Sequence, residues 1–108
     1  MTKRQLQKTI DRMVRRIVER FHPDRVILFG SHARGTAGPV SDVDLLVVMP
    51  VSGSKREKQL EVRLAVHEFK VSKDIIVTTP EDFEWRKEIP GTVERPAARE
   101  GRVVYARV

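Results

Sequence analysis

Arg25-Val26-Ile27-Leu28-Phe29-Gly30-Ser31, ten further residues, then Asp42-Val43-Asp44-Leu45-Leu46-Val47-Val48 is the stretch that decides how this chain folds. Two apolar runs of strand length, rich in β-branched residues, flank a segment punctuated by Gly30, Gly35, Gly38 and Pro39. Such runs read as buried strands, and such punctuation as turn and loop. Two carboxylates sit two apart at the head of the second run. On a strand, residues i and i+2 share a face, so Asp42 and Asp44 project together and repel each other. A hard divalent cation, which takes oxygen ligands, removes that penalty. Gly30-Ser31 is a turn at which backbone N–H groups can approach a phosphate. Carboxylates fit for a cation, beside a turn fit for a phosphate, point toward nucleotide chemistry.

Upstream, Leu6, Ile10, Met13, Val14, Ile17, Val18 and Phe21 recur at three- and four-residue steps. This predicts a core-facing helix stripe, with Lys3, Arg4, Lys8, Arg12, Arg15, Arg16 and Arg20 opposite. His22-Pro23 ends it, because proline disfavours helix in the residue before it. Ser31 is expected to cap a short helix through Arg34, and the second strand to run from Val43 to Met49. Lys55 to Phe69 is predicted as a second long helix, with Val62, Ala65, Val66 and Phe69 as its stripe and Leu60 and Leu64 beside it. Asp74 to Thr78 reads as the third strand. Thr79-Pro80-Glu81-Asp82 is a helix start with cap, first-position proline and acidic first turn, and that helix should run to about Lys87 or Glu88. A short helix from Glu94 to Glu100, closed by Gly101, precedes an extended tail from Arg102 to Tyr105.

The spacing of these elements brings the marked residues together. Only about a dozen residues join the first two strands, which favours antiparallel pairing and sets Gly30-Ser31 near Asp42 and Asp44. A full helix joins the second and third strands, which permits a right-handed parallel crossover. Parallel strands begin at the same end of a sheet, so Asp74 falls near Asp42 and Asp44. The expectation is an α/β (α+β) fold: a small mixed three-stranded sheet packed by about four helices.

Composition bounds the rest. At 108 residues the chain is read as one small domain, 1–108, and with 6% aromatics its core must be aliphatic. The absence of cysteine excludes disulfides and thiolate metal sites. A net charge of +6 favours anionic partners, although no aromatics are interleaved with the first helix's basic residues. No apolar run is long enough for a membrane span and no apolar signal core follows Met1, so a cytoplasmic location is expected.

Leu28-Phe29-Gly30-Ser31-His32-Ala33-Arg34-Gly35, Asp42-x-Asp44 and a third acid on a later strand resemble the minimal nucleotidyltransferases of the polymerase-beta-like superfamily. The resemblance runs from about Phe21 to Thr78, and more loosely through Gly101 to Tyr105. It implies transfer of AMP from ATP to a hydroxyl with release of pyrophosphate. Gly30 and Ser31 would hold the triphosphate, assisted by Arg34. Asp42 and Asp44 would hold two magnesium ions, and Asp74 would ligate the second and accept the hydroxyl proton. It also implies a partner in a hetero-oligomer: a helical HEPN-type ribonuclease toxin, modified by AMPylation of a tyrosine, with this chain as antitoxin. Two other readings stay open. One is a non-catalytic module that neutralises its partner by contact; the other is a nucleotidyltransferase acting on a small molecule or an RNA end.

Overall fold

α1 (Lys3–Phe21) opens the fold, and both its ends are fixed by local chemistry. Thr2 and Gln5 exchange hydrogen bonds as a capping box, the Thr2 N–H donating to Gln5 Oε1 at 2.7 Å and the Gln5 N–H to Thr2 Oγ1 at 3.1 Å. At the other end His22 takes a left-handed conformation, φ 50°, ahead of Pro23. Then follow β1 (Arg25–Phe29), α2 (Ser31–Arg34), β2 (Val43–Val48), α3 (Lys55–Ala65), β3 (Lys73–Thr78), α4 (Pro80–Arg86), α5 (Glu94–Glu100) and β4 (Arg102–Ala106). This computed structural model describes residues 1–38 and 40–108; Pro39, read above as part of a loop, lies outside the described residues.

The sheet order is β3-β2-β1-β4. β1 and β2 are antiparallel, and β2 and β3 are parallel through the α3 crossover, as the spacing predicts. The mixed α/β architecture stands, but among the described residues the sheet has four strands and five helices pack around it. The tail read as merely extended pairs antiparallel with β1 as β4, with a register shift at Val26/Ile27. Its partner lies nearly eighty residues away in sequence, and that pairing satisfies the backbone groups on its inner side. Gly101 makes the turn into β4 possible. It is pressed so closely against the Ala97 carbonyl and Ile27 that no side chain fits.

Alternation divides the sheet between two apolar clusters. Val26, Leu28, Val43, Leu45, Val47, Ile75 and Val77 face Ile10, Met13, Val14 and Ile17 of α1, and Val62, Val66 and Phe69. Ile27, Phe29, Leu46 and Val48 face Phe83 of α4 and Ala97 of α5. α3 ends at Ala65, four residues short of the expected Phe69. Turns through Val66 and Phe69 still bury both side chains, so the apolar spacing outlasts the helix. Leu60 and Leu64 are mostly exposed. On the far side, Glu94 is 3% exposed and takes a hydrogen bond from the Thr78 hydroxyl at 2.7 Å and from Arg86 Nε at 3.2 Å. That buried carboxylate ties α5 to α4 and β3.

The outer edge of β3 is closed by α3. Gln59 Oε1 accepts from the Val77 N–H at 2.9 Å, and Arg63 Nε donates to the Ile75 carbonyl at 3.1 Å. Two side chains one helical turn apart thus occupy backbone groups that a neighbouring strand would otherwise take.

Candidate active site

β1 and β2 meet in a register that sets Phe29 opposite Asp44, so the chain leaving β1 passes directly over the Asp44 carboxylate. The residue at that point is Gly30, with φ 75° and ψ −156°. A side-chain carbon there would run into Asp44 Oδ2 and lie 3.2 Å from its Cγ. Glycine is required twice over, by the backbone angle and by the contact. The N–H groups of Ala33 and Arg34 both donate to the Gly30 carbonyl at 3.1 Å, which winds α2 up at once. Gly30 therefore holds the cap position expected of Ser31, and no side chain caps this helix. Ser31 is its first residue, because the turn needs a conformation that only glycine takes easily.

β2 and β3 pair in parallel with Asp44 beside Asp74. By alternation, both acids lie on the face shared with Leu46, Ile76 and Val48, the α4 and α5 side. Asp42, just before β2, accepts a hydrogen bond from the Ser72 hydroxyl. Burial, then the negative charges of Asp74 and Asp42, hold the Asp44 carboxyl above its ordinary value of 3.8, while His32 and Arg34 pull it back down. All three acids thus act on one centre, and two cationic or polar groups of α2 act on the same centre. His32 Nε2 lies 3.1 Å from the Ser41 carbonyl, tying the ends of the glycine loop together. Arg34 is 3.3 Å from Glu100 at the end of α5, an ion pair that anchors α2.

Two participants escaped the sequence reading. One is Ser72. The other is Arg63, whose guanidinium binds Asp74 Oδ1 at 3.1 Å while its Nε holds the Ile75 carbonyl. Nothing in the local pattern marks Arg63 among the four cations from Lys55 to Arg63 and the acids between them; only its i,i+4 relation to Gln59, facing a strand edge, hints at it. Among the described residues no three His, Asp or Glu side chains already converge as a ready-made metal site. Asp42 and Asp74 each lean on a neighbour instead. The donor set nonetheless fits a hard cation: it is all carboxylate oxygen, and Asp44 resists carrying its charge there. A cavity of about 710 Å³ lies behind the glycine loop, between Leu6, Ile10, His32, Ser41, Val71 and Arg102, and none of the three carboxylates lines it.

A glycine-led turn pressed against one strand-borne acid that has a second beside it, at one end of a mixed sheet, is an arrangement suited to moving nucleotides. Residues 10–100 match the family described as nucleotidyltransferase domain, and the chain belongs to that family. Two proteins of Methanocaldococcus jannaschii, both named "putative protein adenylyltransferase", are similar to it. One is 40% identical over 55 residues, 51% of this chain and 54% of the relative. The other is 33% identical over 90 residues, 77% of this chain and 61% of the relative. The chain thus spans little more than half the length of these relatives. Among solved structures, a nucleotidyltransferase from Sulfolobus solfataricus, itself titled "putative", has a TM-score of 0.60 at 24% identity, over 93% of this chain and 79% of the other. A toxin–antitoxin structure with AMP-PNP has a TM-score of 0.56 at 16% identity, over 90% of this chain and 73% of the other. Both structures share the fold. Among the described residues no helix is long and apolar enough to cross a membrane.

Proposed function

We propose that this nucleotidyltransferase moves AMP from ATP to a hydroxyl of a partner protein, a tyrosine of a helical HEPN-type toxin, and so acts as its antitoxin. The observation that carries the reading is the contact of Gly30 with Asp44, which has Asp74 as its neighbour. It sets bare backbone, which can approach a phosphate, against Asp44 with a second carboxylate beside it. The names of the two Methanocaldococcus relatives support a protein acceptor. The toxin–antitoxin fold neighbour with AMP-PNP supports ATP and a toxin partner.

In this reading the turn at Gly30 and Ser31 receives the triphosphate through backbone N–H groups and the Ser31 hydroxyl. Arg34, held by Glu100, adds positive charge on the phosphate side. Magnesium ions held by Asp42, Asp44 and Asp74 would neutralise the phosphates and the charge that develops between attacking and leaving oxygens. The acceptor oxygen attacks the α-phosphorus, and the bond from that phosphorus to the bridging oxygen of the β-phosphate breaks. Pyrophosphate departs with the electron pair. The hydroxyl proton passes to Asp74, whose Oδ1 accepts from Arg63 and whose other oxygen is left for the acceptor.

The test is co-expression with neighbouring gene products, followed by incubation with ATP labelled at its α-phosphorus. Label on a tyrosine of a helical partner, with pyrophosphate released, is the expected result. No labelled protein and no pyrophosphate would overturn the enzymatic reading. Neutralisation of the partner by an Asp44→Asn protein would favour the contact-only module.

A further inference from the structure

Seven cations and two acids lie in α1, which therefore carries five of the chain's six net positive charges. The remaining residues are close to neutral. Arg4, Lys8 and Arg12 recur every four residues, and Arg15 follows after three. On a helix this is one stripe, about 16 Å long with a cation roughly every 6 Å. All four are exposed, on the side away from Ile10, Met13 and Ile17.

Ion pairing elsewhere makes this stripe conspicuous. Among the described residues, the only α1 cation in an ion pair is Arg16, which meets Glu68 at 2.7 Å and the Ala65 carbonyl at 2.9 Å. Arg4, Lys8, Arg12 and Arg15 form no ion pair among the described residues, although the charge of Arg12 is felt at Glu68. Arg12 lies 5.3 Å from the centre of the Phe69 ring, which props the guanidinium without neutralising it. Of the two acids, Asp11 is hydrogen-bonded to Gln7, and Glu19 sits past the end of the stripe.

We propose that this face of α1 binds the phosphate backbone of double-stranded nucleic acid, without regard to sequence. A regular line of unpaired cations complements a regular line of phosphates. An acidic protein face fits less well. The exposed residues of α1 are Lys3, Arg4, Gln5, Gln7, Lys8, Asp11, Arg12, Arg15, Glu19 and Arg20, with no apolar or aromatic anchor of the kind protein interfaces are built on. Single strands fit less well too, because no exposed aromatic is present there for bases to stack on.

The probe is a 20-base-pair DNA duplex of mixed sequence, followed by fluorescence anisotropy. Four phosphate contacts predict a salt slope of about −3.6, or about 150-fold weaker binding between 50 and 200 mM salt. Lys8→Glu with Arg12→Glu should lose binding at 50 mM salt. Arg56→Glu with Arg99→Glu, an equal change of net charge on exposed residues of α3 and α5, should bind far better than that pair. Circular dichroism checks that both remain helical. Asp44→Asn should bind the duplex as the unaltered protein does, whatever becomes of AMP transfer. The proposal fails if the duplex does not bind at 50 mM salt, or if the α1 variant binds like the unaltered protein. It also fails if both charge variants lose binding equally, if a single strand binds more tightly, or if poly-glutamate competes as well as duplex at equal charge.

Discussion

Asp44 and Asp74 stand side by side on neighbouring parallel strands, register partners of one another, with the Arg63 guanidinium on the far side of Asp74. Two like charges so placed repel each other in the metal-free site. Asp44 bears most of that repulsion, and its partial burial adds to it.

The pH dependence follows from its sign. The folded state holds the Asp44 carboxyl above 3.8, so between that value and the raised one the folded state binds more protons than the unfolded. Stability from this group therefore falls as pH rises through the window, and stays reduced above it. Asp44→Asn should be more stable than the unaltered protein at pH 7 without metal. The gap should narrow as pH falls toward 3.8. Urea melts at pH 7 and near pH 4 measure it, and a gap that does not change with pH would show that the acid is not strained.

Magnesium with ATP should stabilise the unaltered protein by about 2.7 kcal/mol at a hundredfold excess over the dissociation constant. Asp44→Asn should lose most of that gain. In activity, Asp44→Asn should cost more than Asp74→Asn, because Asp44 is the acid on which the other two converge electrostatically. Thermal melts and pyrophosphate release give the two readouts.

Gly30→Ala should abolish tight ATP binding and destabilise the fold, since its methyl meets the Asp44 carboxylate. In an Asp44→Ala background the obstacle is gone. The remaining cost should fall to the strain of a positive φ alone, about 1–3 kcal/mol. Chemical denaturation of the four proteins of this cycle tests it, and equal costs in both backgrounds would rule out the contact.

Arg63→Ala should lower AMP transfer about tenfold to a hundredfold through a misplaced Asp74. The lost hydrogen bond to Ile75 should cost stability by about 1 kcal/mol. Arg63→Lys keeps the charge but not the fork that spans the carbonyl and the carboxylate, so it should rescue only part of the rate. Steady-state kinetics should place the loss in kcat and leave the KM for ATP nearly unchanged.

Glu94→Ala removes a buried carboxylate's bonds to Thr78 and Arg86 and leaves the buried Thr78 hydroxyl without its acceptor, which should cost about 1–3 kcal/mol. Glu94→Gln keeps an acceptor for Thr78 and should cost less. Thermal melts decide between them.

What the sequence made legible was whatever depends on neighbours along the chain. β1, the start of β2, the cap and proline of α4, and α5 with its closing glycine all follow from local pattern. So does the antiparallel-then-parallel order that gathers Gly30, Asp42, Asp44 and Asp74, because loop length limits how strands can pair. β4 was not legible as a strand of the sheet, since its reason for pairing is the distant β1 edge. The end of α3 was hidden because a turn through Val66 and Phe69 buries the same side chains as a helix would. Arg63, Gln59 and Glu94 gain their roles only once α3 lies along β3 and α5 beneath α4. A lone polar residue carries no sign of the partner it will meet.

Closing the β3 edge with Gln59 and Arg63 makes growth of the sheet directional. A strand from another molecule meets these two side chains when it approaches β3, which works against the endless edge-to-edge stacking that fibres require. The guard at the closed side is the same guanidinium that steadies Asp74. A variant that loses Arg63 should therefore lose solubility and catalysis together, and a search for better-behaved variants would have to leave that position untouched.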